Sequence, residues 1–174
     1  MVSLQAQPLT MKAFAPYGRV VERPGRASDA EGPGWRWWPE TAVLAGDGRA
    51  WTVGYLDLQP AEPRFDWAER HMRSLEAILA TAGDILVYVG PAEHPEEPGR
   101  LPALERFRAF LVPAGSGVIM DRGVWHGAPF AAGEATLALV LLLEGTGRHD
   151  VTIVRFPDTP VAIHPTRPPE HRGG

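Results

Sequence analysis

Glycine and proline recur along the whole chain and leave little room for long helices. The 174 residues include 19 Gly and 18 Pro. Both residue types interrupt helices, because glycine has too much backbone freedom and proline lacks the N–H that a helix needs. The segments between them are short and rich in β-branched and aromatic residues, which suit strands. The sequence therefore predicts an all-β or mostly-β domain with many turns.

Short apolar segments follow one another at regular spacing, as is typical of a β-sandwich or β-barrel. The predicted strands are 19–22, 35–38, 51–58, 75–81, 84–89, 106–112, 117–120, 136–143 and 151–156. One short helix is expected at 10–15, with Thr10 as its cap and Pro16 ending it. The stretch 24–34 has no apolar periodicity, and we expect it to be a mobile loop and a candidate lid.

Length and composition favour a single domain. A chain of 174 residues suits one core, and 44% hydrophobic with 22% charged residues is typical of a globular protein. We expect this domain to cover 1–160. We expect 161–174 to be a disordered tail, because 165–174 contains no apolar residue beyond proline. The tryptophans expected in the core are Trp35, Trp37, Trp38 and Trp125.

Charge and cysteine content exclude several classes of function. Seventeen Lys plus Arg against 21 Asp plus Glu give a net charge of −4, the wrong sign for neutralising nucleic-acid phosphates. The absence of cysteine removes thiolate nucleophiles and thiolate ligands, so a metal would be held by His, Asp or Glu. The longest apolar run, 137–143, is too short for a membrane span. We expect a cytoplasmic protein that binds neither nucleic acid nor a membrane.

Candidate ligands cluster in one short stretch of the sequence. Alternate side chains of a strand share a face, so Glu69 and His71 point the same way. Glu76 lies five residues beyond His71, which is the wrong parity for one straight strand. The chain must therefore bend at 72–74 if Glu76 is to join the other two.

The spacing of this stretch resembles the first motif of the cupin superfamily, a group of small β-barrels. His71, Glu76 and Gly83 match the second half of that motif, and Glu69 stands at the place of its first histidine. The resemblance implies a cupin-type β-barrel, or jelly roll, with a short N-terminal helix.

A later stretch resembles the second cupin motif. Gly115, Gly123 and His126 match it, with Asp121 in place of its proline. The resemblance implies a divalent metal ion, and a donor set of imidazoles and carboxylates suits Ni, Mn, Fe or Zn, among which the sequence does not choose. Two carboxylates would already neutralise a dication, which leaves open that one of them is free. The implied ligands are Glu69, His71, Glu76 and His126.

Within the cupins, the chain resembles the ureidoglycolate lyase family more closely. The resemblance is carried by the segments 14–18, 69–71, 104–110 and 123–126, the last followed by Pro129. It implies an enzyme of allantoin degradation, and so of purine metabolism, that splits ureidoglycolate, a small organic acid, into glyoxylate and urea. It also implies a homodimer.

Three positions of the expected pocket depart from the family pattern. Glu76 stands where the family usually has glutamine, Glu31 replaces the asparagine of an Asn-Gly pair, and Gly127 stands where a second histidine often follows. The sequence therefore constrains the identity of the substrate less than it constrains the fold. Two alternatives stay open: a metal-dependent cupin of another reaction class, such as an isomerase or oxygenase acting on a small organic acid, and a non-catalytic small-ligand-binding cupin.

The expected reaction needs proton transfer and a contact for the substrate carboxylate. The hydroxyl of the hemiaminal must lose its proton while the ureido nitrogen gains one. We expect Glu76 or Asp121 to transfer the proton, as a carboxylate whose pKa is raised by burial. Arg73 and Arg122 are candidates for binding the substrate carboxylate. Simpler roles are that Glu69 forms a surface ion pair and that Asp121 caps a turn.

Overall fold

The structure, a computed structural model, describes residues 3–156 and 160–165 and consists mostly of β-strands. The strands are β1 (Ser3–Pro8), β2 (Gly18–Val21), β3 (Ala30–Gly32), β4 (Trp35–Trp37), β5 (Trp51–Leu58), β6 (Arg64–Phe65), β7 (Trp67–Arg70), β8 (Glu76–Ala80), β9 (Ile85–Gly90), β10 (Arg108–Val112), β11 (Gly117–Met120), β12 (Trp125–His126), β13 (Phe130–Ala131), β14 (Thr136–Leu143), β15 (Thr152–Arg155) and β16 (Val161–His164). The helical turns are α1 (Met11–Phe14), a 3₁₀ turn (Leu104–Arg106) and α2 (Thr146–His149). The Thr10 hydroxyl caps α1 by accepting a hydrogen bond from the Ala13 N–H at 3.1 Å.

Most strands belong to two sheets. The larger has the order β15-β7-β12-β9-β10-β1-β16-β6, with β13 also paired to β9, and the smaller has the order β2-β11-β8-β14-β5. In the described part of the chain, paired strands are antiparallel except that β1 runs parallel to β10 and β16. The strands β3 and β4 form a separate hairpin.

The main core lies between the two sheets. The smaller sheet contributes buried side chains such as Ile78 and Val118, and the larger sheet contributes Val87 and Phe110 to the same cluster. Burying one side chain of this size stabilises the fold by about 1.5–3 kcal/mol. The two sheets therefore pack face to face, and residues that point inward from either sheet meet in the space between them.

The larger sheet is buried on its outer face as well. Leu86, Tyr88 and Trp125 point away from the main core and pack with Phe65 and Phe107 in a second cluster. All six residues of β9 are therefore buried. The sequence of a strand that is covered on both faces is a continuous run of apolar residues rather than an alternation of apolar and polar ones.

Several predicted strands agree with the structure residue by residue. The predicted strands 51–58, 117–120 and 136–143 coincide with β5, β11 and β14. The stretch 24–34, expected to be a loop throughout, contains β3. Two tryptophans expected in the core, Trp35 and Trp37, are 53% and 59% exposed. That expectation is wrong because, within 3–156 and 160–165, the β3–β4 hairpin pairs with neither large sheet and its tryptophans stay outside both cores. Trp125 is buried, as expected.

The C-terminal boundary needs a correction. Residues 161–164 form β16, which pairs with β1 and β6, and Val161 and Ile163 are buried in the second cluster. The expected tail therefore begins too early, and 166–174 lie outside the described residues. Within 3–156 and 160–165, no helix is long and apolar enough to cross a membrane.

Candidate active site

The chain crosses from one sheet to the other between two candidate ligands. Glu69 lies on β7 of the larger sheet, whereas Glu76 begins β8 of the smaller sheet. His71 lies at the start of the crossing segment 71–75. The predicted bend at 72–74 is therefore confirmed, and it turns three side chains of one short stretch toward the same interior space.

The fourth candidate, His126, reaches this space from β12. It lies opposite Glu69 in the β7–β12 pair, and its ring centroid is 5.1 Å from that of His71. The Nε2 atoms of both histidines lie 3.0 Å from Oε2 of Glu76. His71, His126 and Glu76 are 5%, 3% and 7% exposed. Two imidazoles therefore converge on one buried carboxylate.

Backbone carbonyls fix the orientation of both imidazoles. His71 Nδ1 lies 2.7 Å from the Asp150 carbonyl oxygen, and His126 Nδ1 lies 2.9 Å from that of Val124. Because a carbonyl only accepts hydrogen bonds, each Nδ1 carries a hydrogen. A neutral ring would then turn the Nε2 lone pair toward the Glu76 carboxylate. Two electron-rich atoms at this distance need a proton or a metal ion between them.

The charges in this cluster shift the pKa values of its carboxylates in opposite directions. Burial would raise the pKa of Glu76, but the charges of His126 and His71 and their hydrogen bonds outweigh it and lower the pKa to about 2. Burial raises the pKa of Glu69, despite the opposing charges of the two histidines. The expectation of a raised pKa at Glu76 is therefore wrong, because it left out the two imidazoles. Glu69, not Glu76, is the carboxylate whose pKa is raised by burial.

His126 is held in its protonated form by the same contact. Burial lowers its pKa, but the charge of Glu76 and the hydrogen bond to it outweigh burial and raise the pKa to about 8. At neutral pH, in the absence of a metal ion, His126 and Glu76 thus form a buried ion pair.

The donor set can hold a metal ion. Glu69, His71 and His126 each offer one donor atom, and these atoms lie within 4.8 Å of one another. Glu76 Oε2 lies 3.0 Å from both Nε2 atoms, and neighbouring donors around an ion are about 3 Å apart when metal bonds of about 2.1 Å meet at right angles. Histidine ligands of metals usually donate their other N–H to a carbonyl or carboxylate, as both do here.

A cavity of about 300 Å³ opens onto the cluster. Its polar lining consists mainly of Glu69, His71 and Glu76. The walls include residues of β5 and β15, which are the terminal strands of the two sheets. A larger cavity, about 500 Å³, lies on the β3–β4 hairpin, but it contains none of the candidate ligands.

Three expected site residues lie outside this cluster. Asp121 is exposed and lies 3.7 Å from Arg19, and its carbonyl oxygen accepts a hydrogen bond from the Val124 N–H at 3.2 Å. Its placement agrees with the turn role. Arg122 pairs with Asp47 at 2.8 Å. Both follow the end of β11, where the chain turns on the surface, and neither lines the cavity among the described residues.

Arg73 is also turned away from the cavity. Its side chain is mostly exposed, its Nη2 donates to the His149 carbonyl oxygen, and its Nε lies 3.7 Å from Asp150. A surface ion pair was the simpler expectation for Glu69. In the structure Glu69 lies opposite His126 in the β7–β12 pair, so its neighbour is an imidazole rather than an arginine.

Asp150 supports the site and was missed by sequence reasoning. Its buried carboxylate accepts hydrogen bonds from the backbone N–H groups of Met72, Arg73 and Ser74 at 2.9, 2.8 and 3.0 Å. Its carbonyl oxygen accepts the hydrogen bond from His71. Asp150 therefore holds both the crossing segment and the imidazole. It is remote from this segment in sequence, and no local pattern marks it.

Arg70 anchors the opposite side of β7. Its buried guanidinium donates to the carbonyl oxygens of Glu93, His94 and Glu97 at 2.8, 3.1 and 3.1 Å. It also lies over the Trp125 ring, 4.6 Å from the centroid. Since Arg70 follows Glu69 and Trp125 precedes His126, this contact holds together the two strands that carry those ligands.

Comparisons with known proteins agree on one family. A sequence profile of the ureidoglycolate lyase family matches residues 1–164. Ureidoglycolate lyase from Burkholderia mallei is 32% identical over 155 residues, covering 86% of this chain and 87% of that protein. The enzyme of the same name from Chelativorans sp. is 31% identical over 170 residues, covering 94% and 98%. Among solved structures, dTDP-4-dehydrorhamnose 3,5-epimerase from Bacillus anthracis matches with a TM-score of 0.47 and 12% identity over 67% of this chain and 71% of that chain, a similarity from which nothing is carried over. On the sequence matches, the chain belongs to the ureidoglycolate lyase family.

Proposed function

We propose that the protein is a carbon–nitrogen lyase that cleaves ureidoglycolate to glyoxylate and urea, as the names of its relatives indicate. One observation carries this proposal beyond family membership. Glu69, His71 and Glu76 line one cavity, and His71 and the buried His126 place their Nε2 atoms 3.0 Å from a single carboxylate oxygen of Glu76. Such a cluster of acid–base groups is what the reaction requires.

The reaction moves one proton across the substrate. The hydroxyl group loses its proton as its oxygen becomes the carbonyl oxygen of glyoxylate, the C–N bond breaks, and the leaving nitrogen gains a proton to give urea. A carboxylate beside the substrate can accept the first proton and return it to the nitrogen. Both Glu69 and Glu76 line the cavity, so either lies in the right place.

The different environments of the two carboxylates support different roles for them. Two carboxylates whose pKa values are driven apart by their surroundings commonly divide an acid–base task and a charge-stabilising task. Glu76 contacts both imidazoles and has a pKa of about 2, so we assign it to holding positive charge. The pKa of Glu69 is raised by burial, which suits transient protonation, so we assign proton transfer to a carboxylate oxygen of Glu69.

The cluster also suits a divalent metal ion. His71 and His126 would hold it with Glu76, whose Oε2 lies 3.0 Å from both Nε2 atoms, and Glu69 offers a further donor atom within 4.8 Å of those of the two histidines. When bound, such an ion supplies Lewis-acid polarisation of the substrate oxygens, which makes the hydroxyl proton easier to remove. Asp150 and Val124 would keep the two Nε2 atoms directed inward through their carbonyl oxygens.

Several broader expectations belong to the same proposal. We propose that the two sheets form a cupin-type barrel, that one domain carries the site, and that the chain forms homodimers as the family resemblance implies. A cytoplasmic location and a place in allantoin degradation stay predictions. Light scattering of the purified protein tests the dimer, and cell fractionation tests the location.

Metal analysis combined with a product assay tests the proposed function. The purified protein is expected to contain close to one divalent ion per chain and to release glyoxylate and urea from ureidoglycolate. Bound metal without these products would favour another reaction class. Neither metal nor products would favour a small-ligand-binding protein.

Two variants separate the roles of the carboxylates. Glu69→Gln is expected to keep its metal content and to lose at least about a hundredfold in kcat. Glu76→Ala is expected to bind metal at least about tenfold more weakly. If Glu69→Gln loses the metal and Glu76→Ala keeps it, the two assignments are reversed and the proton-transfer role of Glu69 is refuted.

A further inference from the structure

The walls of the cavity differ in chemistry from its floor. The polar side chains Glu69, His71 and Glu76 lie together at the cluster. Among the other described lining residues only Tyr55, which is 69% exposed, has a polar side chain. The remaining ones are apolar or glycine, and they include Leu56, Val140, Leu142, Pro129, Val151 and Ile153. Among the described lining residues there is no lysine or arginine. A substrate would therefore meet charge at one end and hydrocarbon at the other.

Strand register makes one wall continuous. Val140 and Leu142 are two residues apart on β14 and so share a face. Their partners on β5 are Gly54 and Thr52. Gly54 has no side chain, and a Cβ built on it would make only ordinary contacts with Val140, at 3.5 and 3.8 Å. Gly54 and Val140 both line the cavity, and the missing side chain at Gly54 leaves Val140 uncovered from that side.

The side chains of Val140 and Leu142 offer no hydrogen-bond partner to a ureido group. The terminal amide of ureidoglycolate carries two N–H donors and a carbonyl acceptor, which lose water when they enter the cavity. Polar groups that lose water without gaining partners weaken binding. An alkyl or aryl group at the same place would instead gain by burying its apolar surface.

We propose that the site prefers N-acyl-2-hydroxyglycines with an apolar acyl group over ureidoglycolate. This inference rests on the proposed lyase function, because it keeps the same reacting atoms. The C–N bond breaks, the hydroxyl oxygen loses its proton and becomes the carbonyl oxygen of glyoxylate, and the amide nitrogen receives a proton. The products are glyoxylate and a primary amide, and no oxidant or reductant is consumed.

Glyoxylate release gives a common readout for both substrate classes. Ureidoglycolate, N-acetyl-, N-butanoyl- and N-benzoyl-2-hydroxyglycine would be compared with the metal-loaded protein, each corrected for its spontaneous decay. We expect kcat/KM to be at least about tenfold higher for the butanoyl or benzoyl compound than for ureidoglycolate, the range in which apolar pockets discriminate.

A matched pair of variants ties the preference to the wall. Val140→Thr places a hydroxyl in the cavity at nearly constant size, and we expect it to reduce the acyl-to-ureido ratio of kcat/KM about fivefold or more. Val53→Thr makes the same change on β5, where the side chain is 67% exposed and lies outside the cavity lining. This control is expected to leave the ratio unchanged.

The outcomes separate this inference from the lyase proposal. Cleavage of ureidoglycolate with tenfold preference over every acyl compound would overturn the inference and leave the lyase proposal intact. An equal effect of Val140→Thr on both substrate classes would also overturn it. Glyoxylate from neither class would refute the lyase proposal and this inference together.

Discussion

Replacing Glu76 by glutamine tests whether its carboxylate is the charge partner of the buried His126. The substitution keeps the size of the side chain and removes its charge at the oxygen that lies 3.0 Å from both Nε2 atoms. The experiment uses protein freed of metal by chelation, so that only protons occupy the cluster.

The pKa shifts of Glu76 and His126 give the expected loss in the free energy of unfolding. The pKa of Glu76 is lowered from 4.5 to about 2, which corresponds to about 3 kcal/mol of net stabilisation of the charged carboxylate after the opposing effect of burial. The pKa of His126 is raised from 6.5 to about 8, which corresponds to about 2 kcal/mol of net stabilisation of the charged imidazole. Both values include the same contact and are not added. We expect Glu76→Gln to lower the free energy of unfolding at neutral pH by about 2–3 kcal/mol, or the Tm by roughly 5–10 °C.

The pH dependence has a defined sign at each end. A lowered carboxyl pKa stabilises the fold above the unfolded value of 4.5, and this contribution is lost as the pH falls toward about 2. A raised imidazole pKa stabilises the fold below 6.5, and this contribution is lost as the pH rises through about 8. The difference in stability between native protein and variant should therefore be largest between these limits and shrink on both sides.

Urea unfolding and NMR titration of the histidine rings provide the assay. In the variant, the pKa of His126 should fall from about 8 to 6.5 or below, because burial is then opposed by fewer charges. Glu62→Gln, an exposed carboxylate paired with Arg64, is the control and should change stability by less than about 0.5 kcal/mol. Unchanged stability together with an unchanged His126 pKa would refute the assignment of Glu76 as the counter-ion of His126.

Further predictions concern the groups around the cluster. His126→Ala should weaken metal binding at least about tenfold, measured by metal analysis after dialysis against a chelator, and full retention would contradict the ligand assignment. Because His126 has a pKa of about 8, metal affinity should fall about tenfold per pH unit below that value, which chelator competition measures; a flat profile would exclude competition by its proton. Asp150→Ala should cost about 2 kcal/mol in urea unfolding, since three backbone N–H groups lose their acceptor. Asp66→Ala, the control, removes an exposed carboxylate paired with Arg155 at 2.8 Å and should cost under about 0.5 kcal/mol. Arg70→Met should cost about 3 kcal/mol, because three carbonyl oxygens lose a buried cation. The control is Arg155→Met, at a side chain that is 74% exposed, and an equally small effect at Arg70 would contradict the anchoring role.

The parts of the fold that follow from local pattern were predictable. The strands β5, β11 and β14 were predicted at their observed residues because apolar and β-branched residues fill short segments between turns. The exposed Trp35 and Trp37 were not predicted, since residue type does not reveal whether a second layer covers a strand. The strand β16 was missed because its burial depends on long-range pairing with β1.

The candidate site, too, was predictable only in part from the sequence. Parity and spacing predicted that Glu69, His71 and Glu76 would meet once the chain bent, and the crossing between sheets brings this about. The direction of the Glu76 pKa shift depends on two imidazoles at 3.0 Å, which spacing alone does not provide. Asp150 acts through backbone contacts with residues far away in sequence, so no local motif marks it.

Because the residues of the cluster lie on both sheets, binding of a metal ion would affect the stability of the whole fold. Glu69 and His126 belong to the larger sheet and Glu76 to the smaller, so a bound ion would act as a clasp across their interface. Separation of the layers would release the ion, and each tenfold excess of free ion over its Kd would add about 1.4 kcal/mol of resistance to that separation. Removal of the ion would then lower the free energy of unfolding even when no substrate is present.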